Sequence, residues 1–168
     1  MFELGSIWAY PTDTSFGLGA RCDDPESLVR LKELKNRPDE KFFSLMVRDW
    51  EMLKKYAEVP SNISKDWFLK SPKTALLKPK ATLPSSPFWP AEKVAFRIST
   101  IPEVAQHIDV PVTATSANIS GEDPVFCIEN LFDNFGSAIQ VYAQSGDLKS
   151  KDPSQIWDFT VVPAIRIR

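Results

Sequence analysis

Histidine is nearly absent from this chain, and cysteine is scarce: its 168 residues hold one His and two Cys. Zinc sites are built from clustered thiolates and imidazoles, and Cys22 and Cys127 form no CxxC and meet no paired histidines, so a zinc centre is not expected. Two such thiols read as reduced cysteines of a cytosolic protein. Any His-centred catalytic triad would depend wholly on His107, in the helical segment PEVAQHI, and that residue reads as structural. Long hydrophobic runs and a signal peptide are also missing, which points to the cytoplasm and to no membrane partner. Neither sign of charge is in large excess. With 20 Lys and Arg against 22 Asp and Glu, the net charge is −2, which argues against a surface that coats polyanions but leaves room for a local basic pocket. Only 6 glycines stand beside 14 prolines, so many connections are stiffened.

The length suits one domain over residues 1–168, with a core that needs no disulfide or metal. Leu28 to Lys41, LVRLKELKNRPDEK, reads as an amphipathic helix stopped by Pro38 just past Arg37. Asp24 and Pro25 open it as N-cap and first residue. Its end gathers Lys35, Arg37 and Lys41. That charge is either the solvated basic end of a helix, which the helix dipole favours, or an anion-holding cluster.

Ile7–Tyr10 reads as a buried strand with too little chain before it for much to pack in front. Pro11 should end its ladder, and PTDTSFGLGA then places Thr12, Asp13, Thr14 and two glycines where α/β folds put ligands. No GKS or GKT follows, so this is not a Walker loop. Further strands are expected over 43–47, 73–78, 94–98, 112–115, 138–142, 156–159 and 161–167, and helices over 50–57, 60–69, 102–108 and 125–135. Ser145–Gly146–Asp147 reads as a turn. Residues 79–91, with four prolines, read as a surface loop in which Phe88 and Trp89 either cover a pocket or tie the loop down. Arg97, alone in an apolar strand, should have an anionic partner. Ser116, Asn118 and Ser120 alternate after a strand and can face one way if the segment stays extended. Strands alternating with helices early and clustering late favour a mixed α/β sheet. Cations and small hydrogen-bonding side chains from separate segments suit a nucleotide phosphate and a zwitterion, with chemistry by positioning and charge neutralisation.

YPTDTSFGLGA, KNRPDEK, TSANISGEDP and PSQIWD occur in the order and rough spacing that resemble the YrdC-like family of threonylcarbamoyl-AMP synthases. The resemblance implies an open barrel-like, twisted α/β domain with a large concave pocket, here as a short single-domain member. It implies an enzyme joining L-threonine, bicarbonate or CO2, and ATP with Mg²⁺ into threonylcarbamoyl-AMP, which downstream tRNA threonylcarbamoyl transferase machinery consumes. By matching position, Thr14, Arg97, Ser116 and Ser154 would face threonine. Lys35, Arg37, Lys41, Asn118, Ser120 and Arg166 would face ATP. The alternative is a non-catalytic relative that binds nucleotide or RNA.

Overall fold

The computed structural model describes residues 1–142 and 146–168. Its elements run β1 (Trp8–Pro11), β2 (Phe16–Gly19), α1 (Pro25–Leu34), β3 (Leu45–Val47), α2 (Trp50–Tyr56), α3 (Lys65–Leu69), β4 (Lys73–Leu77) and β5 (Val94–Ile98), then α4 (Pro102–Ala105), β6 (Val112–Thr113), β7 (Thr115–Ser116), α5 (Ile128–Phe135), β8 (Gln140–Val141), β9 (Gln155–Asp158) and β10 (Ile165–Arg166). The fold is mixed α/β. One sheet has the order β7-β2-β1-β8 and the other β10-β9-β4-β5-β3-β6. Among the described residues, neither closes into a barrel. Parallel pairs (β1 with β8, β3 with β5, β4 with β9) lie among antiparallel ones.

The segment after the first strand differs from expectation. PTDTSFGLGA is the turn of a hairpin and its return strand, with Trp8 opposite Gly19 and Pro11 opposite Phe16. Pro11 is tolerated because β8 pairs only with Trp8 and Ala9, so no strand on that side needs the missing N–H. Gly17 and Gly19 serve packing here. A Cβ on Gly19 would lie 2.6 Å from Tyr10 Cε1 and 3.1 Å from the Thr113 carbonyl oxygen. The short N-terminal segment also packs where none was expected to: Phe2 is buried and meets the Tyr10 ring edge-on at 5.3 Å between centroids.

Tyr10 also joins the two sheets, its buried hydroxyl donating to the Thr113 carbonyl at 2.7 Å. The segment read as one strand over 112–115 is two: β6 pairs with β3 in one sheet and β7 with β2 in the other, with Ala114 between them. This crossing brings the two sheets together and carries the chain straight into the TSAN segment.

Helix α1 starts as its sequence suggests. Asp24 accepts from Ser27 N at 3.1 Å and, with its other oxygen, from Gly5 N at 2.7 Å. Leu28 and Leu31 enter the core, and Leu34 packs against it half-buried. Its end comes earlier than Pro38. Asn36 takes a left-handed φ of 48°, while Asn36 N bonds Glu33 O at 2.9 Å and Arg37 N bonds Lys32 O at 3.0 Å. That is a Schellman closure with asparagine in the glycine position. Several other elements are shorter than expected. Helix α3 begins at Lys65 under a Ser64 cap, and α5 at Ile128. The loop over 79–91 is tied down, with Phe88 and Trp89 buried. Of the turn read at Ser145–Gly146–Asp147, Ser145 lies outside the described residues.

Candidate functional site

A cavity of about 900 Å³ opens between the two sheets. The 12–15 turn, β7, the segment after α1, β4, β5 and the chain leading into β9 all contribute to its walls. Among the described residues, four cations line it, Arg37, Arg97, Lys151 and Arg168, against the carboxylate of Asp123 in the wall and of Asp13 on Arg97. The interior therefore has surplus positive charge and many hydroxyls, an environment suited to an anionic ligand.

Arg97 is the floor. It is 9% exposed and carries the anionic partner its strand position demanded, the Asp13 carboxylate, which accepts from Nη2. Its Nε is buried and, among the described residues, without a hydrogen-bond partner. A buried donor left unpaired is costly, and this one belongs to a cavity wall. Beside it, the hydroxyls of Thr74 and Ser154 are 3.0 Å apart, and the Arg168 guanidinium donates to the Ser154 carbonyl at 3.0 and 3.1 Å. Burial, and then repulsion from Arg97, lower the Arg168 pKa.

The 12–15 turn is ordered by Thr12. Its Oγ1 accepts from Thr14 N at 3.2 Å and Ser15 N at 3.3 Å and donates to the Ser15 carbonyl at 2.8 Å. Thr14 is thereby presented to the cavity. On the opposite wall, Arg37 donates to the carbonyls of Lys41 at 2.9 Å and Phe42 at 2.6 Å, and to Thr115 Oγ1 at 3.3 Å. Its guanidinium carbon lies 4.8 Å from the centre of the Phe43 ring. Burial lowers its pKa, but a guanidinium stays charged.

Of the residues singled out from sequence, Thr14, Arg37, Arg97, Ser116 and Ser154 line this one cavity. Lys35, Lys41, Asn118, Ser120 and Arg166 do not. Lys35 is 1% exposed, and its ammonium donates to the carbonyls of Ser116 at 2.5 Å and Asn118 at 2.6 Å. Asn118 is occupied with the loop itself, accepting from Ser116 Oγ and donating to the Ile119 and Glu122 carbonyls at 2.7 and 2.8 Å. The alternation of Ser116, Asn118 and Ser120 therefore does not put them on one face, because the loop turns at Asn118 instead of staying extended. Ser120 N donates to the Lys35 carbonyl at 2.8 Å. The Lys41 and Arg166 side chains are exposed, and Arg166 Nε turns to the Arg168 carbonyl at 2.9 Å.

Thr115, Lys151 and Arg168 were not singled out from sequence, whereas Asp13 was, as part of the polar Thr12–Asp13–Thr14 turn. The pairing of Asp13 with Arg97 had no local signal in the sequence. Arg168 had none either, since it comes to Ser154 only through the pairing of β10 with β9. His107 stands apart, its ring 6.3 Å from that of Tyr142. Among the described residues, no helix is long and apolar enough to cross a membrane.

Comparison with known proteins gives consistent results. The family model Sua5_yciO_yrdC, described as "Telomere recombination", matches residues 1–168. A protein of Buchnera aphidicola subsp. Acyrthosiphon pisum named threonylcarbamoyl-AMP synthase is 33% identical over 168 residues, covering 93% of each chain. A protein of the same name from Vibrio vulnificus is 29% identical over 166 residues, covering 93% of this chain and 88% of the relative. The crystal structure of P. abyssi Sua5 complexed with L-threonine superposes with a TM-score of 0.85 at 27% identity. It covers 98% of this chain, which spans about half, 50%, of that protein.

Proposed function

This chain belongs to the Sua5/YciO/YrdC family, and from that premise we propose that it is a threonylcarbamoyl-AMP synthase, a nucleotidyltransferase. The observation that carries the reading is the gathering of Thr14, Arg37, Arg97, Ser116 and Ser154 from five separate segments into one cation-rich cavity. That cavity is the concave pocket of an open barrel-like domain in this reading. L-threonine lies at the Arg97 end, its carboxylate toward the Arg97 guanidinium and its hydroxyl among Thr14, Thr74 and Ser154. The nucleotide lies toward Arg37, with Ser116 facing the threonine. Arg168 takes the role expected of Arg166, and Lys41 serves only as an exposed charge near the triphosphate.

In the proposed reaction the threonine amine and bicarbonate form a carbamate with loss of water. A carbamate oxygen then attacks the α-phosphorus of ATP, and pyrophosphate leaves as the mixed anhydride forms. No nucleophile from the protein is needed. Arg37 and Arg168 offset phosphate charge, and the two-ended cavity holds the carbamate in line with the α-phosphorus. Among the described residues, no cluster of three His, Cys, Asp or Glu side chains could cage a metal ion. Mg²⁺ would come in as part of the MgATP substrate, where it would offset triphosphate charge beside Arg37 and Arg168. The adenylate is consumed by a tRNA threonylcarbamoyl transferase.

The test is pyrophosphate release by purified protein with MgATP, L-threonine and bicarbonate. Release that needs both threonine and bicarbonate is expected. Calorimetric binding of ATP with neither pyrophosphate nor adenylate formed would sink the enzyme reading in favour of a nucleotide-binding protein.

A further inference from the structure

Lys35 has the chemistry of a phosphate ligand and the wrong surroundings for one. It is the C-cap of α1, and the left-handed Asn36 after it sends Lys35 and Arg37 in different directions. Arg37 reaches the cavity wall. Lys35 turns into the protein at 1% exposure. Two of its three ammonium protons go to main-chain oxygens, those of Ser116 and Asn118 at 2.5 and 2.6 Å. Its own carbonyl accepts from Ser120 N at 2.8 Å. Residue 35 is thus clamped to residues 116, 118 and 120 by side chain and main chain together. No carboxylate shares the burden, since none of the ion pairs among the described residues includes Lys35.

A buried ammonium without a counter-ion is an expensive way to join two segments. Its effect is directional. Neutral side chains with one or two donors hold carbonyls less firmly than a charged group that donates to both at once. The loop held this way carries Thr115 and Ser116 into the cavity, and Thr115 Oγ1 in turn accepts from Arg37. A slack loop would therefore disturb both ends of the cavity.

We infer that Lys35 is a positioning residue: it fixes the 115–120 loop against the end of α1, and it makes no contact with the nucleotide. This rests on the proposed synthase reading only for which ligands the loop faces; the clamp itself is tested without ligand.

The experiment compares Lys35→Met, which keeps the stem and removes the donors, with Lys35→Gln, which restores amide donors without charge. The first measurement is amide hydrogen exchange of ligand-free full-length protein. Residues 115–120 should exchange at least tenfold faster in Lys35→Met, while β4 and β5 stay protected, and Lys35→Gln should recover part of the difference. Unchanged exchange in that loop would overturn the inference. Should Lys35→Met not fold, Lys35→Gln alone decides, with faster loop exchange expected and wild-type exchange refuting.

The second measurement is calorimetric binding of ATP and of threonine, with Ser116→Ala forming a double-mutant cycle. A positioning role predicts that Lys35→Met weakens both ligands about tenfold or more. It also predicts that adding Ser116→Ala to Lys35→Met worsens neither by more than about twofold. Loss confined to ATP and additive with Ser116→Ala would instead make Lys35 a phosphate contact. If the wild type binds neither ligand, the synthase reading falls, and the exchange result still decides the clamp.

Discussion

Arg97 and Asp13 can be separated by mutation into a stability effect with a distinctive sign pattern. Their side chains are 10% and 18% exposed, so each relies on the other for most of what water would have supplied. Arg97→Met keeps an unbranched stem between Phe96 and Ile98 and leaves the Asp13 carboxylate alone in a partly closed turn. Asp13→Asn leaves a guanidinium on the cavity floor with its Nε already unpaired. Breaking a buried pair from one side typically costs 3–5 kcal/mol. The residual exposure here screens part of that, so we expect about 2–4 kcal/mol for either single variant. At 168 residues this corresponds to a fall in Tm of roughly 5–12 °C.

The double variant Arg97→Met/Asp13→Asn strands no charge. It should lie within about 1 kcal/mol of the milder single variant, well short of the sum of the two. Denaturant unfolding of the four proteins, with equal m-values as the check on two-state behaviour, measures all four corners. Additive singles would refute the reasoning, because they would mean that the pair is hydrated and that neither member depends on the other.

Arg37→Ala should weaken ATP binding by about 1.5–3 kcal/mol, the size of a lost charged hydrogen bond, and leave threonine affinity within about threefold; unchanged nucleotide affinity in calorimetry would contradict it. Thr14→Val should raise the KM for threonine well above any change in the KM for ATP, and equal losses would mean Thr14 is misplaced. Gly19→Ala forces a Cβ to within 2.6 Å of the Tyr10 ring and 3.1 Å of a backbone oxygen, so it should destabilise by about 1–3 kcal/mol; a wild-type Tm would show that Tyr10 can yield. Burial, with repulsion from Arg37, pushes the Lys35 pKa down from 10.5 to about 7. Between those values the unfolded chain binds more protons than the folded one, so stability should rise with pH across that window by up to about 1.4 kcal/mol per unit. The penalty should be fully present below about pH 7. Unfolding free energies measured from pH 6 to 9 should show this rise in wild type and a flatter profile in Lys35→Met.

Where local chemistry acts alone, the sequence was enough. Asp24–Pro25 starts α1, Asp49 caps α2 by accepting from Met52 N at 2.8 Å, and β5 has the boundaries its apolar run suggests. The two helix starts depend on neighbours within four residues. The need of Arg97 for an anion was also legible, since an isolated charge in a buried strand cannot be left unpaired. That the partner would be Asp13 was not, because 84 residues separate them and only the facing of the two sheets brings them together.

The same limit explains Lys35 and Arg37. The sequence established that two cations flank an asparagine at the end of an amphipathic helix, and it suggested that both served one ligand. The tertiary structure divided them. A left-handed turn at Asn36 put one cation into the cavity wall, and packing against the 116–120 loop buried the other among carbonyls. Composition and periodicity determine which residues carry charge and which elements can form. Which way a charge faces depends on distant chain segments arriving beside it, as at Ala114, where one apparent strand changes sheets and carries Ser116 to the cavity.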